Sequence, residues 1–303
     1  MDGIIIIFKE KGFTSHDVVA KLRGILKQKK IGHTGTLDPD AEGVLPVCLG
    51  KGTKVCDLLT NHSKEYHAVL KLGIKTDTQD MTGAILEENT VMADEDTIRQ
   101  TIMEFVGSYD QIPPMYSALK VNGKKLYEIA REGKTVERKA RRVTINHIRI
   151  ETVDMANNEI TFLVDCSKGT YIRTLCEDIG NKLGCGGCMK SLLRTRVGDF
   201  TLEDSITLTE VQKKRDEGTV MDAVMSIDSV FMEMPEAKVL SAGMKFLNNG
   251  NSLKLSYLSS SASADELMQA EQIRIYNERD EFSAIYKYDD KQRMFVPEKM
   301  FLS

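Results

Sequence analysis

No apolar run in this 303-residue sequence approaches the roughly 20 residues needed to cross a bilayer. The longest early run, residues 4–8, is only strand-sized. The N-terminus also lacks a basic region followed by an apolar segment and a small-residue cleavage site. No secretion signal is read there, and a cytoplasmic location without membrane contact is expected. Cysteine is sparse: Cys48, Cys56, Cys166, Cys176, Cys185 and Cys188 are scattered and expected as free thiols. Cys185-Gly186-Gly187-Cys188 has metal-like spacing but no companion half, and His62 and His67, five apart, would face opposite ways on a strand. No metal is expected. A basic excess is missing too, since the formal net charge is −4. Net charge is an average, however, and from Lys120 to Arg142 there are nine Lys and Arg against three acidic residues. Such a run reads first as a solvated helix face, yet it can also hold phosphates.

What is present is the composition of a soluble globular protein, 41% hydrophobic and 28% charged, long enough for one large domain or a large and a small one. The pattern predicts a strand over 3–8, a turn, and a helix opened by the capping box Thr14-Ser15-His16-Asp17. That helix would bury Val18, Val19, Leu22, Ile25 and Leu26. A glycine-punctuated loop is expected over 32–52 and a short helix over 54–59. The alternation over 65–72 puts Tyr66, Ala68, Leu70 and Leu72 on one strand face. Further helices are expected over 94–106, 124–131, 170–183 and 208–217, and strands over 142–151, 159–166 and 191–197, with Asn157-Asn158 as a turn. The irregular mixture favours α+β over a doubly wound parallel sheet. Near 232–235 the character changes, so we expect a catalytic domain over 1–231, with a basic insertion at about 110–142, and a small β-rich domain over 232–303.

The densest cluster of unusual residues runs from Gly32 to Gly43, where glycines permit a loop that presents a carboxylate, Asp38, at an open surface. A calcium loop fails because Leu49 stands where a bidentate Glu is required. A phosphate-binding loop fails because no Gly-Lys-Ser/Thr follows. Leu37-Asp38-Pro39 alone would be an ordinary turn.

The longer stretch 31–54 resembles the signature of the bacterial tRNA pseudouridine-55 synthase family, Gly-His-x-Gly-Thr-Leu-Asp-Pro-x-Ala-x-Gly-x-Leu followed by Gly-x-x-Thr-Lys. Residues 9–19 are similar to its opening segment, with Glu10 in place of a proline, and Lys64-Glu65-Tyr66 to its Lys-x-Tyr motif. The segments 76–80, 111–120, 130–133, 169–173 and 192–195 follow in the family's order. The resemblance is strong over about 3–200 and weak in the tail.

That resemblance implies a largely antiparallel mixed sheet with a small C-terminal RNA-binding-like domain, and an enzyme that flips the T-loop uridine 55 of tRNA into a pocket and isomerises it without a cofactor. Asp38 would be the essential carboxylate. Tyr66 would pack on the base and serve late proton transfer, and Arg173 would pair with Asp38 and keep it ionised. Tyr171 would line the pocket, Leu192 or Leu193 would form an apolar wall, and His33 would help displace the flipped nucleotide. Lys54 and, on the basic stretch, Lys120, Arg131, Arg141 and Arg142 would grip the T-arm. No guide RNA and no obligate protein partner are expected. Two rival readings are the catalytic subunit of a guide-RNA pseudouridylation complex and a non-catalytic tRNA-binding or folding protein. A hydrolase reading lacks a second acid/base partner in the loop.

Overall fold

The computed structural model describes residues 1–121 and 123–302. Among them, nine strands form the main sheet. These are β1 (Gly3–Lys9), β2 (Ile31–His33), β3 (Glu42–Leu49), β4 (Lys64–Leu72), β5 (Gly107–Gln111), β6 (Arg141–Asp154), β7 (Glu159–Cys166), β8 (Gly187–Val197) and β9 (Phe200–Thr201). The order is β1-β3-β8-β4-β7-β6-β5, with β2 on β3 and β9 on β8. Only β3 and β8 run parallel in it, so the sheet is mixed and largely antiparallel, as expected.

The buried strands show why both continuous and alternating apolar patterns occur. Ile4 and Ile6 of β1 pack with Val44, Cys48 and Phe231, whereas Ile5 and Ile7 pack on the other face with Leu22, Leu45 and Val47. Covered on both faces, β1 carries a run of isoleucines. In β4 only Tyr66, Ala68, Leu70 and Leu72 reach the core, against Phe162, Val164, Leu175 and Ile179, so the pattern there has period two. The helix α1 (Ser15–Leu26) begins at the capping box, with Thr14 Oγ1 accepting from Asp17 N–H and the Asp17 carboxylate accepting from Thr14 N–H. It packs Val18, Val19, Leu22 and Leu26 on one side of β1 and β3; Ile25 is only partly buried. The helix α2 (Ile172–Lys182) lies over β4 and β8 with Ile172, Leu175, Cys176 and Ile179 inward.

The glycine-rich loop is shorter than its composition implies. Residues 42–49 form the strand β3, with seven of its eight residues buried, which confines the loop to 34–41. A proline inside this strand is unusual, because it cannot donate to a ladder. It is tolerated here because β8 joins β3 only at Glu42 and Gly43, while β2 joins it at Val47, Cys48 and Leu49, leaving Pro46 in the gap.

A second sheet uses β10 (Glu236–Val239), β11 (Leu258–Ser259), β12 (Ile273–Tyr276), β13 (Phe282–Asp289) and β14 (Met294–Met300) in the order β11-β10-β12-β13-β14. Ile285 and Phe301 join the cluster of Ile4, Val44 and Phe231, so the two sheets share a core. Lys54 lies exposed at this junction, where its ammonium donates to the Met300 carbonyl at 2.6 Å, a contact 246 residues away in sequence.

Gly43 has φ +110°, and a Cβ there would meet the Arg194 carbonyl oxygen at 2.2 Å. Gly43→Ala is expected to destabilise the fold by roughly 3 kcal/mol, from a strained backbone and overpacking together. Chemical denaturation checks this, and an unchanged midpoint would refute the close β3–β8 approach.

Candidate active site

The loop 34–41 is tied down along its length by backbone and side-chain groups from elsewhere. Thr34 N–H donates to the Pro46 carbonyl at 3.0 Å. The Leu37 N–H donates to Ser15 Oγ at 2.9 Å, at the buried start of α1. The Pro39 carbonyl accepts from Gly12 N–H at 2.9 Å and from Lys9 Nζ at 3.2 Å. A carboxylate on a loop fixed on both sides is held in place without being buried, and the Asp38 side chain keeps 40% of its exposure.

Arg173, the second residue of α2, is 4% exposed and reaches three segments. Nε donates to Asp38 Oδ2 at 2.8 Å, one terminal nitrogen to the Thr78 carbonyl at 2.8 Å, and the other to the Tyr116 carbonyl at 2.9 Å. Asp80 Oδ2 lies 3.7 Å from the same Nε. Thr78 and Asp80 sit in the turn 77–84, where Asp80 Oδ1 accepts from Thr78 and Thr82 hydroxyls at 2.7 and 2.6 Å and Gln79 adopts φ 66°. The motif resemblance named the Asp38–Arg173 pair; the second carboxylate, Asp80, was visible only as part of the acidic turn.

Tyr66 is 8% exposed in the core cluster that also holds Leu37, Ala41, Ile172 and Leu192. Burial pushes its phenol up to about 12, so it is neutral at physiological pH. The β4–β8 register sets Leu192 opposite Ala68, Leu193 opposite His67 and Arg194 opposite Tyr66. Leu192 therefore shares the Tyr66 face, whereas Leu193 points to the other face, away from Tyr66. Tyr171 caps α2, and its backbone is clamped by the Gln111 side chain: Tyr171 N–H donates to Gln111 Oε1 at 2.8 Å, and Gln111 Nε2 donates to the Tyr171 carbonyl at 3.0 Å. Gln111 is 1% exposed and was not singled out from the sequence, because its motif was assigned wholly to RNA contact.

His33 ends β2 with its ring edge-on to His16 at 5.2 Å, and its Nδ1 is buried without a partner. Burial, reinforced by His16, lowers its pKa to about 4. Lys120, Arg131, Arg141 and Arg142 all lie on the basic stretch and all four are exposed. Arg131 and Lys125 flank the Tyr127 ring at 5.4 and 5.3 Å, and Arg142 lies 3.4 Å from Asp110. Among the described residues no group of His, Cys, Asp or Glu is placed to hold a metal ion, and no helix is long and apolar enough to cross a membrane.

A carboxylate on a fixed loop, a buried arginine on it and a buried tyrosine beside it suit chemistry on a flat polar ring. The family model described as "TruB family pseudouridylate synthase (N terminal domain)" matches residues 23–172, and the "tRNA pseudouridylate synthase B C-terminal domain" matches 173–232. A protein named tRNA pseudouridine synthase B from Lachnoclostridium phytofermentans is 54% identical, over 100% of both chains. The chain belongs to the TruB family. A second TruB relative with the same name, from Alkaliphilus oremlandii, is 50% identical over 85% of each chain. Among solved structures, one described as a Cbf5-Nop10-Gar1 complex aligns with TM-score 0.73 at 28% identity, covering 99% of this chain and 85% of that one. Another, an H/ACA RNP bound to a substrate RNA containing 2'-deoxyuridine, aligns with TM-score 0.72 at 26% identity and the same coverage. Both support the TruB-type fold of the main sheet with a C-terminal β domain.

With a folded pKa of about 4 against an unfolded value near 6.5, His33 takes up its proton in the unfolded chain first as the pH falls. The neutral ring therefore favours the fold above about 6.5, and that contribution is lost between about 6.5 and 4. In His33→Asn the acid limb of a stability-against-pH curve is expected to flatten over that window; an unaltered limb would contradict the buried neutral ring.

Proposed function

We propose that this TruB-family chain isomerises uridine 55 in the T-loop of tRNA to pseudouridine, with Asp38 as the carboxylate that acts on the substrate. The observation that carries it is the Asp38–Arg173 pair: a half-exposed carboxylate whose inner oxygen is held at 2.8 Å by a buried guanidinium. The reaction breaks the N1–C1′ bond, turns the base, joins C5 to C1′, moves a proton off C5 and places one on N1. Asp38 can serve it as nucleophile or as base. Tyr66 and Leu192 offer an apolar and aromatic lining for the uracil, and Tyr171, held through its backbone by Gln111, is the residue we add to that lining. A T-loop uridine is stacked in the folded RNA and has to be extruded to reach such a pocket. His33, neutral and edge-on to His16, is the residue we assign to filling the place it leaves.

The cations Lys120, Arg131, Arg141 and Arg142 would hold T-arm phosphates, read by backbone geometry rather than base edges. A guide-dependent role is less favoured. The relatives named as single tRNA enzymes reach 54% identity over full length, against 26–28% for the complexed chains.

In a tRNA transcript without guide RNA, wild type is expected to convert the T-loop uridine and Asp38→Asn to lose at least about 10²-fold in rate while keeping its affinity. Conversion by Asp38→Asn would remove that residue from the chemistry. Lys120→Glu with Arg131→Glu should weaken binding and flatten the slope of log affinity against log salt by roughly one for each phosphate no longer neutralised. An unchanged slope would take the insertion out of the interface.

A further inference from the structure

The acidic turn 77–84 carries two groups that meet Arg173, the Thr78 carbonyl and the Asp80 carboxylate, and Gln79 stands between them in the chain. Hydrogen bonds around the turn set its shape: Asp77 Oδ1 accepts from Ala84 N–H at 2.8 Å, and the Asp80 carbonyl accepts from Thr76 Oγ1 at 2.7 Å. Those bonds do not set its place relative to α2. That falls to Gln79. Its side-chain Oε1 accepts from the Thr174 hydroxyl at 2.7 Å, and its Nε2 donates to Glu177 Oε2. On the other side its carbonyl accepts from Met189 N–H of β8 at 3.0 Å. Thr174 and Glu177 are three apart on α2 and so share a face. Among the described residues, the two side-chain bonds of Gln79 and the bond from Arg173 to Thr78 are the hydrogen bonds that join turn and helix.

Two features tie this residue type to the contact. Gln79 has φ 66°, a region that glycine enters freely and other residues sparsely. Glycine would relieve the backbone of the turn, but it would leave the buried Thr174 hydroxyl and the Glu177 carboxylate without this partner. The terminal amide also carries an acceptor and a donor on one group, matching a hydroxyl on one side and a carboxylate on the other. An ionised acid of the same length has acceptors only.

The Arg173 guanidinium cannot be aimed by a turn that it alone holds. With the turn fixed to Thr174 and to Glu177, the Thr78 carbonyl is a fixed acceptor for one nitrogen of Arg173, and the rigid fork then directs Nε at Asp38. We propose that Gln79 is a positioning residue for Asp38 that acts through Arg173: its amide clamps the acidic turn to α2 and so sets the direction of the guanidinium that holds the carboxylate. The inference rests on the isomerase reading above. A reacting group held in one direction gains rate without gaining substrate affinity, and that separates this role from RNA contact.

The test is single-turnover pseudouridine formation in a T-arm RNA at pH 8, with RNA affinity and thermal midpoint measured for every variant. Gln79→Ala and Gln79→Glu are each expected to slow conversion by at least about tenfold, with affinity held within about threefold. Gln79→Glu sets two ionised carboxylates against each other at that pH. Adding Glu177→Gln reverses donor and acceptor and restores the bond, so the paired variant is expected to recover to within about threefold of wild type. In an Arg173→Lys background, Gln79→Ala is expected to cost less than about threefold more, since the fork it directs is already gone. A wild-type rate in Gln79→Ala or Gln79→Glu, or a paired variant as slow as Gln79→Glu, would overturn the clamp. Losses that multiply with Arg173→Lys would overturn action through Arg173. Should Gln79→Ala not fold, the comparison of Gln79→Glu with its paired variant still decides. Wild type that fails to convert the RNA would overturn the isomerase reading and the catalytic half of the proposal with it. The clamp itself is then judged by whether the paired variant regains the thermal midpoint that Gln79→Glu loses.

Discussion

Arg173 directs its three guanidinium nitrogens at three parts of the chain that are far apart in sequence: the loop of Asp38, the turn of Thr78 and the insertion at Tyr116. The loop and the turn also have hydrogen bonds of their own, and Arg173 ties the three segments to one another. A planar fork with fixed donor directions sets them relative to one another in a way that a lysine could not. Because Arg173 is 4% exposed, the bonds are shielded from water and from salt. The direction of Asp38, the seat of Asp80 and the root of the basic insertion meet at this one side chain.

Around that hub the catalytic loop is held mostly by backbone carbonyls and buried donors. Ser15, Lys9 and Arg194 each hold a different residue of the segment 34–44. The sheet makes this possible: β8 runs parallel to β3 only at Glu42 and Gly43, and at that close approach the backbone of β3 sits against Arg194, with glycine at position 43. Fold and site are therefore coupled through a few contacts, and the pocket is preorganised. The C-terminal sheet adds to this from outside, its Phe301 and Ile285 sharing a core with β1 and β3.

Much of this was legible in the sequence, and the reasons differ by residue. The capping box at Thr14–Asp17 and the alternation from Tyr66 to Leu72 report local physics, and both appear where expected. The Asp38–Arg173 pair followed from motif resemblance, and the two side chains meet although they are 135 residues apart. What was missed depends on tertiary context. The strand β3 was hidden by Gly43 and Pro46, whose cost depends on which neighbours pair there. Lys54 and Arg194 are both cations near motif residues. Only the packing of β14 on one, and the register of β8 against β4 for the other, separates a carbonyl-bound junction residue from a buried charge facing the site. Gln111 and Asp80 were read as parts of segments rather than as individual partners of Tyr171 and Arg173.

The most direct test of the central claim is Arg173→Lys, which keeps the positive charge and removes the fork. We expect single-turnover pseudouridine formation to fall by at least about 10²-fold while tRNA affinity changes by only a few-fold, since the carboxylate would lose its fixed direction but the cations we propose to hold phosphates would remain. A variant that converts tRNA at the wild-type rate would contradict the account, because a simple charge at that place would then suffice.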